Sequence, residues 1–278
     1  MEAKMNNIIL VPTDFTEVTE NAMYQAVEAA KHLKYKVVLL HVIDKNTKAQ
    51  LKKDYEGLES IGIKLDAIAD EVKSAHKVEI ETIAKEGDIF TTIGEVATDI
   101  GANLLYLGTH GKVGMQKLTG SFAIKVVTSS PVPVVVVQKK PVNQGYKKIV
   151  LPITSDAGPW EKTRWATFIA KNFGAEIDIF QLDIPGLEEA TGIITKHFDK
   201  EGVKYKITKA GGKNFSKNVI DYATSSVSDM IMIMTNPDKN FSTFLLGSYD
   251  EEMIFNTPQI PVMCINPRKY NWEKIFKL

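Results

Sequence analysis

The chain of 278 residues carries one cysteine, Cys264. A lone thiol forms no intrachain disulfide, and its apolar setting, PVMCIN, reads as a buried structural position. No run of about 18 apolar residues occurs, so no spanning helix and no membrane partner are expected. The opening MEAKMNNIILVPTD lacks the apolar core and cleavage site of a signal peptide, which leaves a cytoplasmic location by elimination. Neither charge sign is in excess: 34 basic residues balance 34 acidic ones, and no dense Lys/Arg block is present. Nucleic acid is therefore not an expected partner. Catalytic signatures are also missing. The stretches GKV and GGKN both fail the last position of G-x4-G-K-[ST], no GxSxG elbow appears, and no Cys/His set has zinc spacing.

What is present is repetition. NNIILVPTD at Asn6 returns as KKIVLPITS at Lys147, and VEIETIAKEGDIFTTIGEVA at Val78 as VKYKITKAGGKNFSKNVIDYA at Val203. ANLLYLGTHG at Ala102 returns as SDMIMIMTNP at Ser228, and SSPVPVVVVQ at Ser129 as NTPQIPVMCIN at Asn256. Four blocks in one order imply two copies of a domain. The shift is 140 residues at Pro12 and Pro152 but 125 at Val78 and Val203, so the second copy is 15 residues shorter between its second and third strands. The loss falls in the charged stretch 45–76, a solvated helical cover or a partner surface, whose counterpart is the briefer 187–200. The expected domains are 1–140 and 145–278, joined through the polar KKPVNQGYKK.

Each copy alternates strand and helix patterns. In the first, Ile8–Pro12, Val37–Val42, Val78–Ala84, Leu104–Leu107 and Val132–Val137 read as strands. Val18, Ala22, Ala26, Ala29 and Leu33 recur at helical spacing, one long helix is expected in the mid-section, Ile89–Ile100 forms another, and Phe122–Thr128 a short one. This alternation predicts an α/β fold: two tandem open doubly wound domains, each a five-stranded, mostly parallel sheet with helices on both faces. Ligands of such sheets lie at the carboxyl ends of the strands, near the switch in strand order.

The residues after those strand ends make a candidate site. Pro12, Thr13 and Asp14 follow the first strand, and Val42 ends the second. Gly108, Gly111, Gly114 and Gly120 follow the fourth, with Ser121 opening a helix. Backbone N–H groups freed by glycine and a helix start can close on phosphate oxygens, and Asp14 can accept from ribose hydroxyls. Each has a plainer alternative. Asp14 with Glu17 resembles a capping pair, Ser121 an N-cap, Gly108 and Gly111 turn residues, and Val42 core. His41 reads as packed or locally bonded, and His110 as either solvated or near a ligand.

With these residues in view, the chain resembles a tandem member of the universal stress protein family, over nearly all of both halves. PTD at Pro12–Asp14 matches the family's first element. Gly108, Gly111, Gly120 and Ser121 match its G-x2-G-x9-G-[ST] loop, although eight residues rather than nine separate Gly111 from Gly120. The resemblance implies an adenine nucleotide alpha hydrolase-like fold. It also implies ATP, usually with Mg²⁺ or Mn²⁺, held by Asp14 at the ribose, Val42 near adenine, and the loop from Leu107 and Gly108 through Gly120, Ser121 and Phe122 at the phosphates. The second copy departs from the pattern: Thr154 stands where the acidic residue is expected, and Met234 and Pro237 replace the leading glycines. Proline has no N–H to donate. The expectation is an ATP-binding stress-response protein with little or no turnover, whose second domain is structural. A nucleotide-free scaffold and a slow ATPase or nucleotidyl-transfer enzyme are the alternatives. Family members of this kind pair through their last strands, so the resemblance implies a pseudo-dimer of the two halves through Val132–Val137 and Ile260–Ile265, with a homodimer or another protein as further partners. The tail YNWEKIFKL is expected to pack on its own domain or on another subunit.

Overall fold

The computed structural model describes residues 6–110, 120–141, 145–154, 160–211, 214–235 and 248–266. It divides into two compact units, Met1–Asn143 and Gln144–Leu278. Among the described residues no helix is long and apolar enough to cross a membrane.

Unit 1 runs β1 (Ile8–Pro12), α1 (Glu17–Leu33), β2 (Lys36–Ile43), α2 (Lys45–Asp54), α3 (Glu59–His76), β3 (Ile80–Glu86), α4 (Ile89–Asp99), β4 (Leu104–Gly108), α5 (Gly120–Ser129) and β5 (Val134–Val137). Its strands lie in the order β3-β2-β1-β4-β5, with every pair parallel. β1, β4 and β5 are buried along their whole length, which is why they read as unbroken apolar runs. β3, with β2 as its one neighbour in the unit, alternates in burial and carries Glu81, Lys85 and Glu86. α1 buries Val18, Ala22, Ala26, Ala29 and Leu33 and ends at Lys34, whose left-handed backbone returns an N–H to the Ala30 carbonyl.

Three expectations need correction. The long helix of the mid-section is two helices. Tyr55 adopts φ 57° and closes α2 onto the Leu51 carbonyl, and Gly57 follows before α3 begins. Gly108 is the last residue of a strand rather than the first of a loop, because its amide register continues β4 against Val137. The following helix opens at Gly120, two residues before the first apolar position that marked it.

Unit 2 repeats the plan with β6 (Lys148–Ile153), α6 (Trp160–Phe173), β7 (Glu176–Leu182), α7 (Leu187–Glu201), β8 (Tyr205–Ala210), α8 (Phe215–Ser225), β9 (Met230–Met234), α9 (Ser248–Ile254) and β10 (Val262–Ile265). The order is β8-β7-β6-β9-β10, again parallel. One helix, α7, stands where unit 1 has α2 and α3. The start of the first strand is held alike in both units. Asn103 Oδ1 accepts from the Ile8 amide at 3.0 Å, while Asp229 Oδ2 accepts from the Lys147 and Lys148 amides at 2.7 and 2.9 Å. A buried strand-end amide without a partner is costly, so both copies keep a side-chain acceptor there.

Candidate functional site

In unit 1 β1 is flanked by β2 and β4, so the strand order reverses at its carboxyl end and a crevice opens there. The chain leaving β1 is fastened first. The Thr13 amide donates to the Leu40 carbonyl at 2.8 Å, and Thr13 Oγ1 accepts from the Phe15 amide at 3.0 Å. Phe15 is held at φ 64°, a left-handed conformation that a bulky residue rarely adopts, next to Asp14. Its ring stacks on His41 with centroids 4.7 Å apart and planes 18° from parallel, and the Lys64 ammonium lies 4.1 Å from the same ring.

The arrangement around Asp14 accommodates both readings of that residue. Oδ1 accepts from the Thr16 amide at 3.1 Å, the Thr16 hydroxyl at 2.6 Å and the Thr19 hydroxyl at 3.1 Å. This is an Asx-type turn leading into α1, whose N-cap, Thr16, makes no side-chain cap bond of its own. No hydrogen bond from the described residues reaches Oδ2, and Asp14 is only half-buried. One carboxylate oxygen organises the helix start, and the other keeps its acceptor capacity. Glu17, the supposed second half of a capping pair, instead faces Lys139 at 3.6 Å.

The crevice is narrow, with a cavity volume of about 30 Å³, and is lined by Pro12, Thr13, Asp14, Leu40, His41, Val42, Asp44, Thr47, Ile89, Ile93 and Phe122. It adjoins a wider hollow of about 730 Å³, open to solvent, between the ends of β2 and β3, with Lys45, Asn46, Lys48, Glu86 and Asp88 on its walls. His41 is buried and fully used: Nδ1–H donates to the Thr13 carbonyl at 2.8 Å, which can only accept, so Nε2 is left to accept from the Thr47 hydroxyl at 3.3 Å. Asp44 caps α2 by accepting from the Thr47 amide at 2.7 Å. Phe122 packs on Phe90 at 5.3 Å, and the Lys125 ammonium covers that ring at 4.5 Å.

Gly108 has a packing reason to be glycine. A Cβ there would lie 2.7 Å from the Val18 carbonyl oxygen and 3.0 Å from the Thr19 amide and Cα. The first turn of α1 thus rests directly on the end of β4. Leu107, fully buried in β4, lies beneath the site and does not line it. Pro12, Thr13, Asp14, Val42 and Phe122 line the same crevice. Gly120 opens α5 and Ser121 follows it, while Gly111 and Gly114 lie outside the described residues. His110 is half-buried rather than solvated, and its Nε2 finds no partner among the described residues. The sequence reading missed Thr47, Ile89 and Ile93. Applying the strand-end rule to β3 as well as to β1, β2 and β4 would have found Ile89.

Comparison with known proteins agrees with this geometry. The sequence profile of the Universal stress protein family matches residues 5–138. A universal stress protein of Methanocaldococcus jannaschii is 32% identical over 154 residues, 48% of this chain and 94% of that protein. Another from Synechocystis is 31% identical over 139 residues, 48% of this chain and 86% of its own length. The chain belongs to the universal stress protein family. The crystal structure of a universal stress protein from Archaeoglobus fulgidus superposes with a TM-score of 0.75 over 94% of this chain and 98% of its own, at 20% identity, so the fold extends over both units.

In unit 2 of this universal stress protein the corresponding strand end is built from other chemistry. Thr154, exposed, stands at the position of Asp14, and Met234 at that of Gly108. Lys162 takes the position of Ala22 in α1. It is buried, and its ammonium donates to the Pro152 carbonyl. Burial pulls its pKa down to about 8, partly offset by the charge of Asp250, which is itself buried in α9 at the position of Ala123. The tail 267–278, Asp156, Pro237 and Gly247 lie outside the described residues. No group of three or more His, Cys, Asp or Glu that could hold a metal ion occurs among the described residues.

Proposed function

We propose that this universal stress protein binds one adenine nucleotide, ATP in the first instance, in the crevice of unit 1, and acts as a ligand-responsive stress protein with little or no turnover. The observation that carries the reading is the divided carboxylate of Asp14. Its Oδ1 is consumed by α1, while its Oδ2 is available at the mouth of an apolar crevice where ribose hydroxyls can donate to it. Pro12, Val42, Ile89 and Phe122 offer the base an apolar seat. The phosphates then run toward Gly111, Gly120 and Ser121, where the α5 N-terminus supplies unpaired amide donors. The described residues form no carboxylate cage, so Mg²⁺ or Mn²⁺ would arrive coordinated to phosphate oxygens. Turnover is left out because His41, the histidine in the lining, spends both ring nitrogens on Thr13 and Thr47. Unit 2 serves as a structural partner, its strand end carrying Thr154, Lys162 and Met234 in place of an acceptor and small residues.

Calorimetry with ATP and magnesium tests the reading. The expected stoichiometry is one per chain, and Asp14→Ala should weaken binding at least tenfold, the loss of roughly one charge-assisted hydrogen bond. No heat at millimolar ATP would refute the reading in favour of a nucleotide-free scaffold.

A further inference from the structure

Along the sheet order β3-β2-β1-β4 of unit 1, the wide hollow lies at the ends of β3 and β2, the narrow crevice at the ends of β2 and β1, and the start of α5 beyond β4. A nucleotide whose ribose meets Asp14 and whose phosphates run toward α5 therefore points its base the other way, toward β3. The crevice itself does not admit a ring, since about 30 Å³ is room for about one or two waters. The hollow, at about 730 Å³, has the size of a small-molecule pocket. Three of the described residues line both: Ile89, Phe122 and Asp44. Ile89 and Phe122 give the junction its apolar surface, and Phe90 backs the Phe122 ring at 5.3 Å. Asp44 is the polar member of the three. It is half-buried and held in place: Oδ1 accepts from the Thr47 amide at 2.7 Å, and Oδ2 from Asn46 Nδ2 at 3.0 Å. A carboxylate has about four acceptor positions, so these bonds fix its direction without exhausting it. On the hollow's wall, the Lys48 ammonium is paired with Glu86.

We propose that Asp44 selects the base: its carboxylate accepts from an exocyclic amino group on the ring edge that enters the hollow, so an aminopurine is taken and a ketopurine refused. The inference rests on the nucleotide reading above and adds to it the residue that reads the base. The ring lies at the mouth of the crevice, over Ile89 and Phe122, where Asp44 is the polar group common to both spaces. An amino group donates to the carboxylate. A ring carbonyl at the same place sets acceptor against acceptor and covers a charged oxygen without giving it a hydrogen bond in exchange.

Calorimetry of the full-length protein with Mg-ATP and with Mg-ITP tests the assignment, since ITP carries a carbonyl where ATP carries the amino group. The wild type should bind ATP roughly tenfold or more tightly than ITP, the loss expected when a hydrogen bond to a charged group is forfeited. Asp44→Asn keeps a good N-cap for α2. With its Oδ1 on the Thr47 amide, it presents an NH₂ where the wild type presents an acceptor, so the preference for ATP should vanish or invert. Asp44→Ser also caps well but is too short to reach the ring, and should bind the two nucleotides alike. The lost negative charge shifts both affinities together and cancels in their ratio. Equal affinities in the wild type, or an undiminished preference for ATP in either variant, would overturn the role of Asp44 and leave the nucleotide site standing. No binding of either nucleotide would overturn the nucleotide reading and this assignment together.

Discussion

Lys162 makes unit 2 carry a charge in its core, and its removal has a calculable signature. Burial lowers the ammonium pKa from 10.5 to about 8, a displacement worth about 3 kcal/mol at 1.36 kcal/mol per unit. The sign follows from proton counting. Below pH 8 the lysine is protonated whether the unit is folded or not, and the folded state bears the full cost. Between about pH 8 and 10.5 the unfolded chain binds the extra proton, so stability rises with pH across that window. Cys264, fully buried with its thiol pushed well above 9, works in the opposite direction above its ordinary range, as does Tyr35 in unit 1, raised to about 12. The comparison must therefore be between variants. Lys162→Met alone would leave Asp250 without its nearby cation, so Lys162→Met with Asp250→Asn is the appropriate pair. This double variant should be more stable than the wild type at pH 7 by about 1–3 kcal/mol, and the advantage should shrink steadily from pH 8 to 10.5. Urea unfolding followed by tryptophan fluorescence reads the right unit, since Trp160, Trp165 and Trp272 all belong to it. Equal pH slopes for the two proteins between 8 and 10.5 would refute the argument.

Two further outcomes follow from single contacts. Gly108→Ala forces a Cβ against backbone atoms of Val18 and Thr19, which cannot rotate away, so unit 1 should lose about 1–3 kcal/mol in thermal unfolding. Its ATP affinity should fall with it, because the Asp14 turn lies on the displaced segment; an unchanged melting temperature would contradict the close contact. Tyr222→Phe removes the hydroxyl that donates to buried Asp178 at 3.2 Å, leaving Lys206 as the remaining charged partner at the same distance. A loss of about 1 kcal/mol in unit 2 is expected from tryptophan-monitored unfolding, and no loss would mean that Lys206 satisfies the carboxylate alone.

Much of the fold was legible because it is written in burial. β1 and β4 are unbroken apolar runs and were placed within a residue of their observed ends, since strands covered on both sides tolerate little else. β3 was placed two residues early, starting at Val78 rather than Ile80; it is an edge strand, and its alternation carries less information about where pairing begins. The break between α2 and α3 was not visible because Tyr55, at its left-handed turn, is not a residue that announces a stop; the signal was Gly57, two positions later. At the site, Asp14 could be singled out but its division of labour could not, because the threonine hydroxyls that claim Oδ1 are fixed by a turn whose Phe15 backbone no sequence rule favours. Gly108 was singled out as a phosphate-loop residue, whereas what a Cβ there would meet among the described residues is the first turn of α1, a contact that no local pattern announces.

The two units show which features the family frame requires and which it merely permits. Along α6 the buried positions fall at the same spacing as along α1, and Asp250, Met253 and Ile254 of α9 repeat the burial of Ala123, Val126 and Val127 of α5. Packing has been kept position by position. The changes concentrate where the helices meet the strand ends: Ala22 becomes Lys162, Ala123 becomes Asp250, Gly108 becomes Met234 and Asp14 becomes Thr154. Replacing two buried alanines by charged groups costs stability in proportion to their desolvation, and a selection for packing alone would have resisted it. The second unit thus carries different chemistry at the corresponding strand end, with buried Lys162 and Asp250 where the first unit keeps Ala22 and Ala123.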